Sequence, residues 1–295
     1  MKVFITGGTG MLGSVLVEKL VSKGHKVAIT YKEHKPAPGI KGYEVDIRDK
    51  KLGDIIKKES PDWVIHTAAV TDVDMCEKDK ELAKSINVDG TKNVVDACEK
   101  IGAHLVNVST TFVFEGSKKV YTEEDSVNAV NYYAQTKIDA ENIVKKSKLK
   151  KWIIVRTDQI YGWHALKKNF VTSTLLKFDK AEQFKVFNDW FNHPTFVDDL
   201  ADIIITLLEK GATGIFNTAG STYIDRFSWA QMIADVFKKD KKLVSYSSSL
   251  DANLPAKRPN VHVDLSKIER IIGRKPIGVL EGMRLMKKQK EGGTY

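Results

Sequence analysis

The first half of the chain alternates short apolar runs with amphipathic stretches. Apolar, β-branched runs predict strands, and apolar residues that recur every three or four positions predict helices. The predicted strands are Lys2–Thr6, Lys26–Thr30, Gly42–Val45, Trp63–His66, His104–Val108 and Trp152–Val155. The predicted helices are Met11–Val21, Leu52–Lys58, about Glu81–Lys100 and Asn131–Lys146. Strands that are separated by helices indicate β-α-β units, so we expect an α/β fold with a doubly wound parallel sheet.

This alternation weakens after about residue 160, where the chain becomes aromatic, polar and irregular. Within the second half, Asp198–Lys210 has the pattern of a capped amphipathic helix and Ile215–Asn217 that of a short strand. We expect both to return to the sheet. The predicted organisation is a Rossmann domain of residues 1–160 plus about 195–220, with a smaller C-terminal substrate-binding lid of residues 161–194 plus 221–295.

Composition narrows the class of protein. The chain has 295 residues, of which 42% are hydrophobic and 29% charged, and this excludes collagen-like, disordered and disulfide-framework proteins. The net charge of +9 comes mostly from scattered lysines, which favours a solvated surface over a nucleic-acid site. Two cysteines, no signal peptide and no apolar run of about 18 residues predict a cytoplasmic protein without a membrane partner.

A glycine-rich loop, TGGTGMLG, joins the first predicted strand to the first predicted helix. Its spacing places Gly7, Gly10 and Gly13 where a tight turn, a close backbone approach to pyrophosphate and close helix packing need glycine. The following helix, with Met11 and Leu12 in its first turn, offers free N–H groups to phosphates. The position between strand and helix makes this a strong signal for a dinucleotide site.

The end of the second strand indicates which dinucleotide is bound. Sites for NAD usually carry an acidic residue there, which binds the ribose 2′-hydroxyl. Here the strand ends in Tyr31 and Lys32 instead, so NADP(H) is favoured and NAD(H) stays possible. After the third strand, Asp46 and Ile47 are candidates for the border of the adenine.

A tyrosine and a lysine four residues apart, Tyr133 and Lys137, share one face of a predicted helix. An ammonium group near the phenol is expected to lower the pKa of the tyrosine and make it a usable acid or base. Thr110 and Thr111 follow the strand His104–Val108, on the edge of the sheet that faces the ligand. Their hydroxyls can bind the oxygen of a substrate beside Tyr133.

These motifs occur in the order found in extended short-chain dehydrogenases/reductases, and the chain most resembles the dTDP-4-dehydrorhamnose reductase family. The resemblance covers nearly the whole chain. Its matching stretches are TGGTGMLG (6–13), HTAAVTDVDMCE (66–77), NVDGTKNV (87–94), STTFVFEG (109–116), NYYAQTKIDAEN (131–142), RTDQIYG (156–162), HPTFVDDLAD (193–202), GIFNTAGS (214–221) and KRPNVHVDLSKI (257–268).

The resemblance implies a role for several residues. It makes Tyr133, Lys137 and Thr110 the catalytic triad and assigns Asn87 to the support of the active site. It places a further group at the cofactor: Ala68, Ala69 and Val70. It also implies a nucleotide-sugar substrate and a homodimer formed through helices around 81–100 and 131–146.

Departures from the family pattern qualify these roles. Gln159 stands where many family members carry a substrate-stacking tryptophan, and Thr111 stands where many reductases carry an aspartate. Val15 stands at the position of a glutamate that binds magnesium in some members, and the scattered histidines show no ligand spacing, so no metal is expected. Arg258 is a candidate for binding the diphosphate of the substrate.

Three functions follow as hypotheses. The first is NADPH-dependent reduction of the C4 ketone of a nucleotide-linked 4-dehydro-6-deoxy sugar, with Thr110, Thr111, Gln159 and Arg258 at the substrate. The second is a nucleotide-sugar 4-epimerase with tightly held NAD. The third is a non-catalytic, NADP-binding regulatory subunit of methionine adenosyltransferase, a class with similar sequence runs.

Overall fold

The computed structural model describes residues 1–165 and 169–293. The remaining residues, 166–168 and 294–295, belong to the predicted lid and lie outside this description.

The strands and helices alternate through the first half of the chain and are shorter and less regular in the second. In the described residues the strands are β1 (Lys2–Thr6), β2 (Lys26–Tyr31), β3 (Lys41–Glu44), β4 (Trp63–His66), β5 (His104–Thr110), β6 (Trp152–Thr157), β7 (Ile160–Tyr161), β8 (Phe184–Phe187), β9 (Phe191–Asn192), β10 (Thr195–Phe196), β11 (Gly214–Asn217), β12 (Ile224–Asp225) and β13 (Val244–Ser247). The helices are α1 (Met11–Ser22), α2 (Lys51–Glu59), α3 (Val73–Lys78), α4 (Lys80–Lys84), α5 (Gly90–Ile101), α6 (Tyr132–Lys146), α7 (Phe170–Asp179), α8 (Val197–Glu209), α9 (Arg226–Phe237), α10 (Ser266–Ile272) and α11 (Val279–Glu291).

Seven strands form one parallel sheet, in the order β11-β6-β5-β4-β1-β2-β3. The order reverses at β1, because the chain first winds outward to β3 and then returns to β4 on the other side of β1. This confirms the predicted doubly wound α/β fold. Ligands in such folds bind beyond the carboxyl ends of the strands, at this reversal.

Helices cover both faces of the sheet and bury its apolar side chains. On one face α1 packs against α8, with Leu16 and Ile204 fully buried. On the other face α2 packs against α5, and Ile56 and Cys98 are fully buried there. The strand sequences are continuous apolar runs because helices cover both faces of the sheet.

The second half of the chain builds its own apolar cluster around α7, α9 and α11, with Tyr161, Trp229 and Met283 buried in it. Among the described residues, three two-stranded sheets accompany this cluster: β7 with β10 and β8 with β13 in parallel, and β9 with β12 in antiparallel. Part of the late chain packs elsewhere, because Val263 and Ile268 belong to the core beside the main sheet.

The single helix predicted at about Glu81–Lys100 is wrong in detail. The structure divides this stretch into α4, a π-helical turn at Ser85–Asp89 and α5. The wider turn places Asn87 in the interior, where its side chain bonds other elements. Periodicity alone does not show such a local change of helical pitch. Among the described residues, no helix is both long and apolar enough to cross a membrane.

Candidate active site

A cavity of about 660 Å³ lies beyond the carboxyl ends of the central strands. It is lined by the glycine loop, the ends of β2, β4 and β5, one face of α6 and the residues that follow β6. Of the predicted site residues, it brings together Gly7, Gly10, Met11, Leu12, Gly13, Tyr31, Lys32, Asp46, Ile47, Ala68, Ala69, Val70, Thr110, Tyr133, Lys137 and Gln159.

The glycine loop forms a tight turn, and one side of it lines the cavity. Gly7 has φ of +69°, a conformation that favours glycine, and its N–H donates to the Thr30 hydroxyl at 3.0 Å. A Cβ at Gly13 would lie 2.3 Å from the Gly7 carbonyl oxygen, so only glycine fits where α1 packs under the loop. Gly10 caps α1 without a side chain, which leaves the first N–H groups of the helix for an anion.

At the far end of the cavity, the Asp46 carboxylate pairs with two cations. Arg48 forms two hydrogen bonds to Asp46, at 2.9 and 2.8 Å, and Lys32 Nζ lies 3.5 Å from the same carboxylate. The Arg48 guanidinium lowers the pKa of Asp46 to about 2, so this carboxylate is ionised at neutral pH. Arg48 was missed at the sequence level, although its position two residues after Asp46 is the available signal.

Thr110, Tyr133 and Lys137 lie together at the centre of the cavity. Thr110 is the last residue of β5, which runs two residues longer than predicted. Tyr133 and Lys137 lie one turn apart on α6, which Asn131 caps by accepting a hydrogen bond from the Ala134 N–H at 2.8 Å. Both side chains are buried beneath the cavity, so their chemistry is set by the protein more than by water.

Burial dominates the acid–base properties of this pair. It raises the pKa of the Tyr133 phenol, and the interaction with the Thr110 side chain only partly opposes the change. The expected lowering of the Tyr133 pKa by Lys137 is therefore wrong for this structure, because removing the phenolate from water is the larger effect. Burial also lowers the pKa of Lys137 to about 8, while the nearby Glu141 carboxylate acts in the opposite direction.

The π-helical turn connects the cofactor side of the cavity to α6. The Asn87 side chain accepts a hydrogen bond from the Val70 N–H at 2.8 Å. It also donates to the Thr136 hydroxyl at 3.0 Å, and Thr136 stands between Tyr133 and Lys137 in the helix. Asn87 therefore holds α6, with Tyr133 and Lys137, at a defined position relative to the cavity wall.

Behind α6 lies a buried ion pair. Arg156 of β6 donates to Glu141 at 2.9 and 2.7 Å, and the Ser109 hydroxyl donates to the same carboxylate at 2.6 Å. The Arg156 and Glu141 side chains are 2% and 0% exposed. Because Glu141 is one turn after Lys137 on α6, the ion pair lies next to Lys137 on the side away from the cavity.

The sequence profile of the RmlD substrate binding domain family matches residues 1–289. The chain belongs to this family. Among curated relatives, it is 28% identical over 282 residues to the probable low-salt glycan biosynthesis reductase Agl14 of Haloferax volcanii, covering 92% of this chain and 93% of the relative. It is 29% identical over 298 residues to methionine adenosyltransferase 2 subunit beta of Rattus norvegicus, covering 96% of this chain and 87% of the relative.

A solved structure of dTDP-4-dehydrorhamnose reductase from Bacillus anthracis str. Ames, in complex with NADP, has the same fold. It superposes with a TM-score of 0.87 at 28% identity, covering 98% of this chain and 99% of that structure. The resemblance to extended short-chain dehydrogenases/reductases is thereby confirmed at the level of family and fold.

Two predicted substrate residues of this RmlD-family chain do not line the cavity. Thr111 is fully buried in the turn that follows β5. Arg258 pairs with Asp74, at 2.9 Å for one nitrogen and 2.8 Å for the other. The contacts of Thr111 with the substrate oxygen and of Arg258 with the diphosphate stay predictions. In this structure both terminal nitrogens of Arg258 are bound to Asp74.

Two buried residues beside Gln159 were missed at the sequence level. Asp158, which follows β6, lines the cavity and is 4% exposed. Arg226, the first residue of α9, is 5% exposed and donates to the Gln159 side-chain oxygen. No local pattern marks Arg226, because it lies in the irregular half of the chain and meets Gln159 only through folding.

The expectation that no metal is bound stays a prediction. Within residues 1–165 and 169–293, no three His, Cys, Asp or Glu side chains come together as a metal site. Val15, at the position of the family's glutamate, is buried in α1.

Proposed function

We propose that the chain is an NADPH-dependent reductase for the C4 ketone of a nucleotide-linked 4-dehydro-6-deoxy sugar. The observation that carries the proposal is the arrangement of Thr110, Tyr133 and Lys137 in one cavity with the glycine loop. Membership of the RmlD family and the likeness to a reductase structure with NADP support it.

The residues of the cavity fit a dinucleotide with a 2′-phosphate. The open face of the glycine loop and the free N-terminus of α1 suit the pyrophosphate. Lys32 and Arg48 supply positive charge at the far end, which favours NADP(H), while Asp46 leaves binding of NAD(H) possible. When bound, NADPH supplies the hydride that is added to the ketone carbon.

Tyr133 donates the proton. As hydride reaches the carbonyl carbon, negative charge grows on the oxygen, and the phenolic O–H gives its proton there to form the alcohol. The raised pKa keeps Tyr133 protonated at neutral pH, which is the state that a proton donor needs. The Thr110 hydroxyl, next to the phenol, donates a hydrogen bond to the same oxygen.

Lys137 stabilises the phenolate that Tyr133 becomes. Its ammonium group, buried one helical turn away, interacts more strongly with this charge than it would in water. The charged form of Lys137 is needed for this role, and its pKa of about 8 keeps most of the lysine protonated at pH 7.

The experiment is to follow the absorbance of NADPH and NADH with dTDP-4-dehydro-6-deoxy-L-mannose. We expect oxidation that is faster with NADPH. Tyr133→Phe is expected to lower kcat by about 10²- to 10⁴-fold, with the dissociation constant for NADPH within about threefold of wild type. Unchanged turnover in this variant would exclude Tyr133 as the donor.

A regulatory subunit is the second candidate, since the chain matches methionine adenosyltransferase 2 subunit beta over nearly its whole length. Co-purification with a methionine adenosyltransferase, together with no turnover of nucleotide sugars, would favour it. The 4-epimerase hypothesis is less well supported, because Lys32 and Arg48 suit a 2′-phosphate that NAD lacks.

The homodimer through residues around 81–100 and 131–146 stays a prediction, as do the two-domain division and the cytoplasmic location. Sedimentation equilibrium on wild type tests the dimer. A variant with charged residues on the exposed face of α5 should then dissociate.

A further inference from the structure

At the substrate end of the cavity, Gln159 adopts a backbone conformation that few side chains take. Its φ is +34°, in the left-handed region, where residues other than glycine are strained. Two hydrogen bonds hold this residue, and a third holds the residue before it. The Thr195 N–H donates to the Gln159 carbonyl oxygen at 3.2 Å, the His193 N–H donates to Asp158 at 2.9 Å, and Arg226 donates to the Gln159 side chain.

Arg226 is itself fixed by aromatic side chains. Its guanidinium carbon lies 4.4 Å from the ring centre of Phe170, 4.5 Å from that of Trp190 and 5.3 Å from that of Trp229. The side chain is 5% exposed, and its Nε has no hydrogen-bond partner among the described residues. Burying an arginine without a directly bonded carboxylate is energetically unfavourable. The surrounding fold therefore has to stabilise Arg226 at the position from which it bonds to Gln159.

This bond determines which atoms Gln159 presents to the cavity. A guanidinium only donates hydrogen bonds, so the Gln159 oxygen must face Arg226 and the amide NH₂ is left for the cavity. Asp158, the preceding residue, lines the same wall, and its carboxylate is held there by the His193 N–H that donates to it. A fixed N–H donor beside a fixed acceptor matches a hydroxyl group, which accepts one hydrogen bond and donates another.

The register of the sheet locates this wall relative to the reaction. Thr157 pairs directly with Thr110 across β6 and β5, so Asp158 and Gln159 begin one residue beyond the strand position beside Thr110. Neighbouring strands are about 4.8 Å apart, which is close to the width of a sugar ring. A substrate bound with its ketone at Thr110 and Tyr133 can therefore reach this wall with a neighbouring ring substituent.

We propose that Gln159 and Asp158 bind the hydroxyl on the ring carbon next to the reacting ketone, and that Arg226 is the positioning residue for Gln159. The proposal rests on the reductase function proposed above and deepens it. In a 4-dehydro-6-deoxy sugar the neighbouring hydroxyl is that of C3, because C5 carries the methyl group. The site thus selects sugars that keep this hydroxyl.

The test compares kcat/KM for two nucleotide-linked 4-dehydro-6-deoxy sugars, one with the C3 hydroxyl and one without it. Wild type is expected to prefer the hydroxylated sugar by at least about 100-fold, because the analogue leaves buried polar groups unpaired. Gln159→Glu keeps the bond to Arg226 but removes the N–H donor, and Gln159→Leu removes both. Each is expected to reduce the preference for the hydroxylated sugar by about tenfold or more.

Arg226→Met tests the positioning role. We expect a higher KM for the hydroxylated sugar, a smaller change in kcat and the same loss of preference, whereas Arg226→Lys restores part of the preference through its single donor. A merely structural role would lower the activity on both sugars equally. Gln231→Glu makes the same amide-to-carboxylate change on α9, outside the cavity, and serves as the matched control.

The outcomes separate the two proposals. If wild type reduces the hydroxylated sugar and both Gln159 variants keep the wild-type preference, this inference is wrong and the reductase function stands. If wild type reduces neither sugar, the proposed function fails and the inference falls with it. Should Arg226→Met not fold, the Gln159 variants and Arg226→Lys still decide the question.

Discussion

Two buried arginines lie close to residues of the cavity wall, and their charges are compensated in different ways. Arg156 forms a bidentate pair with Glu141 behind the catalytic helix. Arg226 lies among three aromatic rings and donates to the neutral amide of Gln159. Asp158 is close enough to act on its charge, and burial nevertheless lowers the pKa of Arg226 to about 10.

This difference indicates that Arg156 contributes to the stability of the fold and Arg226 to recognition of the substrate. Removing one partner of a closed, buried ion pair leaves a charge without compensation, so Arg156 and Glu141 act as a structural unit. Arg226 compensates no buried charge by direct contact, and its main bonded partner is a residue that lines the cavity. We therefore expect changes at the first arginine to appear in unfolding experiments and changes at the second to appear in substrate selection.

The largest effect is expected for Glu141→Gln. It should lower the free energy of unfolding by about 3–5 kcal/mol, because the Arg156 charge stays buried with only a neutral partner. Arg226→Met should cost less than about 2 kcal/mol, since the loss of one hydrogen bond is offset by the removal of a poorly solvated charge. Urea unfolding of both variants measures this difference in the free energy of unfolding. Equal losses in the two variants would contradict the distinction between the two arginines.

Replacing both members of the ion pair sharpens the same comparison. Glu141→Met with Arg156→Met removes two charges together and keeps the volume apolar. We expect the double variant to recover most of the stability lost in Glu141→Gln, to within about 2 kcal/mol of wild type. A double variant no more stable than Glu141→Gln would mean that packing, and not charge compensation, makes this pair important.

Replacing Lys137 is expected to change the free energy of unfolding by an intermediate amount. Its pKa is about 8 in the folded chain and 10.5 as the ordinary value, so the charged form is disfavoured on folding. The unfolded chain binds more protons between pH 8 and pH 10.5, so stability rises with pH in that window. Lys137→Met should raise the free energy of unfolding by about 1–3 kcal/mol at pH 7, and this gain should fade above pH 8.

The same pKa of Lys137 should make the activity of wild type fall with rising pH, whereas the stability rises. Turnover is expected to fall as the pH rises through about 8, because Lys137 loses the charge that stabilises the Tyr133 phenolate. A pH profile of kcat, with unfolding monitored at each pH, measures it. A flat profile to pH 9.5 would argue against a charged lysine in the reaction.

The smallest change in stability is expected at the exposed cations of the far end. Lys32→Ala and Arg48→Ala should each alter the free energy of unfolding by less than about 1 kcal/mol, because surface ion pairs contribute little. We expect KM for NADPH to rise about tenfold and KM for NADH to stay within about twofold of wild type. Similar increases for both cofactors would show that these residues do not read a 2′-phosphate.

The sequence predicted best where the relevant signal is local. The glycine loop was located because its function depends on glycines at set spacings between a strand and a helix. Tyr133 and Lys137 were found because helical geometry places residues four apart on one face. The return of α8 and β11 to the sheet was also predicted, because both carry strong apolar periodicity.

The sequence failed where a residue's partner is distant in the chain. The π-helical turn depends on Asn87 bonding to Val70 and to Thr136, which lie on either side of it in the sequence. The protonation of Tyr133 was misjudged because the spacing shows the neighbouring lysine but not the burial of both groups. Desolvation is a property of the assembled cavity and has no local signature.

By itself, the sequence determined the alternating parallel sheet, the glycine loop and the spacing of Tyr133 and Lys137, because each follows from backbone geometry over a few residues. Tertiary structure alone decided that Arg226 reaches Gln159, 67 positions earlier in the chain, and that Arg156 is closed against Glu141. The physical reason is that burial and charge compensation arise only when distant segments meet, and they decide which polar groups remain to face a ligand.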